Sequence, residues 1–163
     1  MNYRYFVIFM SVLLFSCEKR KFEKLEFSYN DIETNFSMKF NRSDTVYINE
    51  TSTMGTSKKY YAIFNKAERK TLDSFANILV SKNFDLIYDK NKEEQSNIKY
   101  KFEIRNPNDL KTISVYEKWA NIDLIDADYF APKDLQNFSL WLYYRKQKSE
   151  KHYLESSNNL SSN

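Results

Sequence analysis

The chain has little of three residue types on which common sites depend. Its 163 residues include one cysteine, one glycine and one histidine. A single cysteine cannot form an intramolecular disulfide and cannot alone build a cysteine-based zinc or iron–sulfur site. A single glycine, Gly55, excludes a glycine-rich phosphate loop. A single histidine, His152, argues against a Ser-His-Asp arrangement and a histidine metal cluster. The sequence therefore predicts no cofactor, no metal site and no common catalytic site.

A strong excess of one charge is also lacking. Lysine and arginine number 25 against 22 aspartate and glutamate, and the two signs are interspersed along most of the chain. Nucleic-acid-binding domains usually carry a clustered basic patch, so no nucleic acid is expected as a partner. Aromatic residues make up 17% of the chain, which we attribute to core packing and codon usage rather than to rows of stacking platforms.

The amino-terminal segment has the pattern of an export signal. Arg4 precedes a nearly uninterrupted apolar run at residues 6–15, which is too short for the roughly 20 residues that span a bilayer. The run stops at Cys17 and gives way to charge at residues 18–21. Leu14 at −3, a small residue at −1 and cysteine at +1 resemble the bacterial lipobox, in which the cysteine sulfur receives a diacylglycerol.

These patterns divide the chain into four parts. We expect a lipoprotein signal peptide at residues 1–16, a lipidated tether at 17–24, a single domain at 25–150 and a disordered tail at 151–163. Cys17 would become the first residue of the mature chain. Its lipid would anchor the protein to a membrane without spanning it. The expected location is the bacterial cell envelope, at the outer membrane.

Two stretches alternate between apolar and polar residues, as half-buried strands do. Residues 36–48, with the turn NRSD, and residues 98–115, with the turn NPND, each predict a hairpin with one apolar face. Shorter strand candidates occur at residues 25–29, 59–64 and 84–88.

Two helices are predicted between and after these hairpins. Asn65 and Glu68 have the spacing of a capping box. Apolar residues then recur with helical spacing over residues 72–79, and the helix should end near Asn83. The second helix is expected to have Pro132 at its first position. Its inner face would consist of Leu135, Phe138 and Leu142.

A hairpin followed by a helix occurs twice, which suggests an internal duplication. We expect an α+β fold with a mainly antiparallel sheet and two helices packed on one face. Because charged residues alternate with apolar ones over residues 98–105, the other face should be solvated.

The segments FSYND, YYAIF, LDSF, IKYKFEIR, ISVYEK and APKDLQNFSLWLYY lie within residues 27–144. This succession resembles a group of small, uncharacterised predicted lipoproteins of Bacteroidota. The resemblance implies an exported, anchored α+β domain and carries no catalytic residue across. The triplet Asp44-Thr45-Val46 also resembles the O-glycosylation motif of that phylum, and a turn that opens a strand explains it equally well.

Carboxylates are the remaining candidates for chemistry. Asp123, Asp126 and Asp128 fall within six residues, and such a cluster binds calcium or supplies an acid and a base in other proteins. Helix capping explains these aspartates as well. Glu93 and Glu94 lie in a polar connector that we interpret as a solvated loop.

The candidate recognition residues are aromatic. Adjacent residues of a strand face opposite sides, so either Tyr60 or Tyr61 must point away from the core. Trp119 follows the second hairpin and fits no clear periodicity. These three residues are the predicted recognition surface.

A lipid attachment signal without catalytic residues favours a non-enzymatic binding or structural lipoprotein with an envelope protein as its partner. One alternative is an immunity protein against a competitor's toxin, which small size and anchoring also fit. Another is a carboxylate-dependent envelope hydrolase, which should hold two or more carboxylates in one pocket.

Overall fold

The computed structural model describes residues 22–52, 55–89, 97–107, 109–117 and 131–154. These residues form eight strands and two helices. The strands are β1 (Lys24–Asn30), β2 (Asn35–Phe40), β3 (Thr45–Thr51), β4 (Ser57–Ile63), β5 (Ile87–Asp89), β6 (Ile98–Asn106), β7 (Asp109–Glu117) and β8 (His152–Tyr153). The helices are α1 (Lys66–Ser81) and α2 (Lys133–Lys148).

All eight strands belong to one sheet, in the order β5-β7-β6-β1-β2-β3-β4-β8. Neighbouring strands are antiparallel except β5 and β7, which are parallel. The first strand lies in the interior of the sheet, where Phe27 is opposite Met38 on β2 and Phe102 on β6. The predicted mainly antiparallel sheet is confirmed.

Both helices pack on one face of the sheet, as the sequence predicts. Leu72, Ala76 and Leu79 of α1 share a core with Leu135, Phe138 and Leu142 of α2 and with the apolar side of the strands. The ring of Phe138 stacks on Phe75 of α1 at 4.7 Å and on Phe102 of β6 at 5.1 Å. Because Phe138 of α2 contacts both α1 and β6, the stack joins three elements into one core. Burying one such side chain stabilises the fold by roughly 1.5–3 kcal/mol.

The capping box of α1 is confirmed. The Asn65 side chain accepts hydrogen bonds from the backbone N–H groups of Ala67 and Glu68, and the Glu68 carboxylate accepts one from the Asn65 N–H at 2.8 Å. The helix ends at Ser81, two residues before the expected end. There the Lys111 ammonium, from β7, donates to two carbonyl oxygens that the last turn leaves without helical partners.

The second helix runs antiparallel to the first. Its helical residues begin at Lys133, and Pro132 is the N-cap rather than the first helical residue. The amino-terminal turn of α2 is joined to the end of α1 by the Lys82–Asp134 ion pair. At the other end, the Arg145 guanidinium donates to Glu68 Oε1 at 2.8 Å. Charged pairs thus fix the two helices against each other at both ends.

The domain begins earlier than expected. The sequence predicts a tether that includes residues 22–24, but Phe22 is 2% exposed, and the Arg69 guanidinium lies 5.8 Å from the centroid of its ring. The Glu23 N–H donates to the Arg105 carbonyl at 2.8 Å. This backbone bond and the burial of an aromatic ring hold the segment on the domain.

The domain also extends beyond residue 150, where the sequence predicts a disordered tail. His152 and Tyr153 form β8 and pair with Tyr61 and Tyr60 of β4. Contacts between aromatic rings explain the pairing, because Tyr153 lies 5.9 Å from Tyr60, and the Lys151 ammonium lies 4.9 Å from the same Tyr60 ring. Residues 151–154 therefore belong to the domain.

The two predicted hairpin-plus-helix units differ in their outer strands. The first hairpin, β2–β3, is extended by the antiparallel strand β4 before α1 begins. The second, β6–β7, is flanked by the parallel strand β5, which precedes it in the chain. The duplication stays a hypothesis.

Candidate functional site

One face of the sheet carries polar side chains, and both helices of the described chain lie on the opposite face. We call this polar side the open face. Residues directly opposite each other on paired strands point to the same side, so the registers arrange the open face in rows. The central row, from β7 to β4, is Ser114, Lys101, Ser28, Ser37, Asn49 and Lys59. The next row contains Glu103, Glu26, Lys39, Tyr47, Tyr61 and His152.

Two carboxylates lie directly opposite each other in the second row. Glu26 of β1 faces Glu103 of β6, an arrangement that is unfavourable by itself. Lys24 and Lys39 lie 3.4 and 3.3 Å from the Glu26 carboxylate, and Lys101 lies 2.7 Å from that of Glu103. Exposed pairs of this kind are worth about 0–1 kcal/mol each. They make the middle of the open face polar, with both signs of charge, and add little to the stability of the fold.

Aromatic residues occupy the β3–β4–β8 side of the open face. Tyr47 and His152 flank Tyr61 on the neighbouring strands. The rings of Tyr61 and His152 stack at 4.9 Å and 23°. Tyr47 remains 45% exposed, and Ile63 nearby on β4 is 64% exposed. Tyrosine combines a large apolar ring with a hydroxyl that can donate and accept, which is why it is common in binding surfaces.

A shallow depression of about 300 Å³ lies towards the other side of the open face. Its lining includes Ser28, Ser114, Lys101 and Tyr116. The Lys99 ammonium lies 5.7 Å from the centroid of the Tyr116 ring. Hydroxyls, ammonium groups and an aromatic ring are thus available to a polar ligand or to a side chain of a partner.

The structure separates the predicted recognition residues. Tyr61 is half-buried and points to the open face. This agrees with the prediction that either Tyr60 or Tyr61 points away from the core. Tyr60 is 1% exposed and its hydroxyl donates to Glu50 Oε2 at 3.1 Å, so it belongs to the core and not to a recognition surface. The other predicted candidates lie outside the described residues: Cys17, Glu93, Glu94, Trp119, Asp123, Asp126 and Asp128.

A second cluster lies on the helix side of the sheet and is not among the residues that the sequence predicts. The Tyr100 hydroxyl donates to Glu117 Oε1 at 3.1 Å. Burial raises the pKa of the Glu117 carboxyl, although the hydrogen bond from Tyr100 acts in the opposite direction. Burial also raises the pKa of Tyr100, and the neighbouring Glu117 carboxylate adds to that rise. Glu117 has the same strand parity as Ile113 and Val115, and that parity was the available signal.

Tyr29 lies between this cluster and a second carboxylate, Asp31, since the charges of both Glu117 and Asp31 act on its hydroxyl. Burial raises the pKa of Tyr29, and the charge of Asp31 raises it further. The Asp31 carboxylate accepts hydrogen bonds from the backbone N–H groups of Glu33 and Thr34, at 2.9 and 2.6 Å. These bonds build the β1–β2 turn. Burial therefore makes Glu117 a weaker acid, and Asp31 stabilises a turn.

Another depression, of about 640 Å³, lies at the carboxyl end of α1. Asp85, Leu86, Asp109 and Leu110 are among the residues that line it. Leu86 and Leu110 are 63% and 52% exposed.

In the ranges that the structure describes, His, Cys, Asp and Glu side chains form no group of three or more that would hold a metal ion. Neither described helix has the length and apolar composition needed to cross a bilayer.

No family model, curated protein or solved structure matches the chain. The fold itself defines the class as an α+β domain with an open sheet face.

Proposed function

We propose that this protein is an exported, lipid-anchored domain of the bacterial cell envelope that binds another envelope component through the open face of its sheet. The anchor is proposed from the apolar run that ends at Cys17. The binding function is carried by one observation: tyrosines, lysines and small polar residues share a sheet face opposite the helices.

The size of the open face supports a binding role. Six strands about 4.8 Å apart and about seven residues long, at roughly 3.3 Å per residue, give a face on the order of 600 Å². Specific protein complexes bury about 800 Å² on each partner. The open face with its surrounding turns thus provides nearly the area of a standard interface.

The charges of the open face indicate the chemistry of its partner. Among the side chains that the six long strands place on the open face, basic ones outnumber acidic ones: Lys24, Lys39, Lys59, Lys99, Lys101 and Arg105 against Glu26 and Glu103. Complementary charge increases the rate and specificity of association. We therefore expect a polar partner surface that carries carboxylates or other anionic groups.

The anchor is tested by replacing the proposed attachment residue. Cys17→Ser should give a precursor without lipid that is uncleaved or mislocalised, detected by intact mass and membrane fractionation. Ser16→Ala keeps a small residue before the cysteine and should be processed normally. An acylated, correctly located Cys17→Ser protein would contradict the proposal.

The binding function is tested by crosslinking the anchored protein in its own envelope and isolating it. Tyr61→Ala should reduce recovery of the partner several-fold, because it removes the central ring of the aromatic cluster. Tyr144→Ala changes a tyrosine on α2 that is 56% exposed, and it should leave recovery unchanged. Recovery of no partner, together with turnover of an envelope glycan or peptide by the purified protein, would favour an enzyme instead.

A further inference from the structure

Phe22, the first residue that the structure describes, lies very close in sequence to the proposed anchor. Phe22 is 2% exposed, and only four residues separate it from Cys17. An extended chain spans at most about 3.6 Å per residue, so the two Cα atoms are within about 18 Å of each other. A tether this short restricts how the domain is presented on a membrane.

The position of Phe22 identifies the end of the sheet that is nearest to the anchor. We call it the proximal end; there β1, β3 and β7 begin and β2, β4 and β6 end. The backbone bond from Glu23 to Arg105 and the contact with Arg69 hold the segment at this end. Arg69 in turn donates to the Asn41 and Ser43 carbonyls of the β2–β3 turn. The distal end, with the β1–β2 and β3–β4 turns, is about 20 Å away.

Exposed basic residues outnumber acidic ones at the proximal end. Lys66 and Lys70 lie on the first two turns of α1, beside the β2–β3 turn that Arg69 holds. The exposed basic residues here are Lys24, Arg42, Lys66, Lys70, Lys82 and Arg105. The acidic residues are Asp44, Asp85 and Asp109, with the half-buried Glu23, which pairs with Arg42. The tether adds Lys19, Arg20 and Lys21 against Glu18. Lysine and arginine next to a bilayer are attracted by anionic lipid headgroups.

We infer that the proximal end rests on an anionic membrane surface, so that the strands stand upright and the distal end points away from the bilayer. This inference rests on the proposed lipid anchor. An upright sheet leaves the open face accessible from the side, along the membrane surface. The tether length and the charge of the proximal end favour this orientation independently.

Introduced thiols can measure the orientation in the mature, lipidated protein in vesicles that contain anionic lipid. The sulfur of Cys17 would carry the lipid, so an introduced cysteine would be the one reactive thiol. A fluorophore on Ser43→Cys or Pro107→Cys probes the proximal end, and on Glu33→Cys or Ser52→Cys the distal end. A quencher on the lipid headgroups should reduce proximal fluorescence at least several-fold more than distal fluorescence.

The outcomes separate this inference from the proposed function. Equal quenching at all four positions, with the lipid confirmed by mass, would overturn the orientation and leave the anchor intact. A mature chain without lipid would overturn the anchor and this inference with it. Lys24→Glu combined with Arg105→Glu should reduce the difference between proximal and distal quenching, whereas Lys58→Glu with Lys148→Glu, which lie near Glu50 at the other end of β3, should not. An unchanged difference in the first pair would overturn the electrostatic contact.

Discussion

Lys146, in the last turn of α2, forms a hydrogen-bonded ion pair with Glu50, near the end of β3. The Lys146 side chain is 8% exposed, and its ammonium lies 4.9 Å from the centroid of the Phe36 ring. The other carboxylate oxygen of Glu50 accepts a hydrogen bond from Tyr60. The pair therefore ties the helix layer to β3 and, through Tyr60, to β4, two of the three strands that carry the aromatic side of the open face.

Glu50→Gln should destabilise the fold at neutral pH by about 1–3 kcal/mol, because it weakens the contact with a buried ammonium. Burial acts to raise the pKa of Glu50, but the hydrogen bond and charge of Lys146, with the hydrogen bond from Tyr60, hold it below its usual value. Its ionised form thus stabilises the fold above the ordinary pKa of 4.5. This stability is lost as pH falls through the lower folded-state value.

Denaturant unfolding at about pH 7 and about pH 3 checks this dependence. The difference between Glu50→Gln and the parent should shrink at the lower pH. The double variant Glu50→Gln/Lys146→Met should cost less than the sum of the two single changes, since the two side chains are in contact. Additive costs, or a difference that does not change with pH, would show that the pair does not stabilise the fold.

Glu117→Gln should have the opposite effect and raise stability slightly at neutral pH. The amide removes a desolvated charge and keeps an oxygen that can accept from Tyr100. Because burial raises the pKa of Glu117 in the fold, its contribution to stability falls as pH rises from the unfolded value of 4.5 through the raised one. The gain should therefore appear at pH 7 and disappear on acidification, as thermal unfolding at both pH values would reveal. A loss at pH 7 would contradict it.

Arg69→Met should cost about 2–4 kcal/mol. Arg69 is 4% exposed, and its guanidinium donates to the Ser43 and Asn41 carbonyls at 2.5 and 2.8 Å. Removing it leaves the β2–β3 turn and Phe22 without their link to α1. The neighbouring exposed variant Lys70→Met should stay within about 0.5 kcal/mol of the parent. Equal costs for the two variants in denaturant titrations would contradict this role of Arg69.

Much of the fold could be predicted because its signals are local. The alternation over residues 98–105 and the Asn65–Glu68 capping box depend on residues close in sequence, and both were found. The two-residue strand β8 has no such signal, since its pairing with β4 requires the chain to return across about 90 residues. The burial of Phe22 likewise depends on a distant partner, Arg69, and the next residue, Glu23, is held by the carbonyl of the distant Arg105.

The candidate surface was predicted only in part, for the same reason. Alternation indicated that Tyr60 and Tyr61 face opposite sides, but it did not indicate which one points to the core. The burial of Lys146 depends on where α2 crosses the sheet, and no periodicity within α2 contains that information. Strand parity indicates that Glu117 points to the helix side, but not that it pairs with Tyr100. The rows of the open face follow from strand order, which the sequence patterns did not provide.

The most direct test of binding through the open face is site-specific photo-crosslinking in the anchored protein within its own envelope. A photoreactive residue at position 61 or 49 samples the open face, and one at position 144 samples the exposed side of α2. We predict one defined adduct from positions 61 and 49 and none from position 144. An adduct from position 144 alone, or none from the open face, would contradict the account.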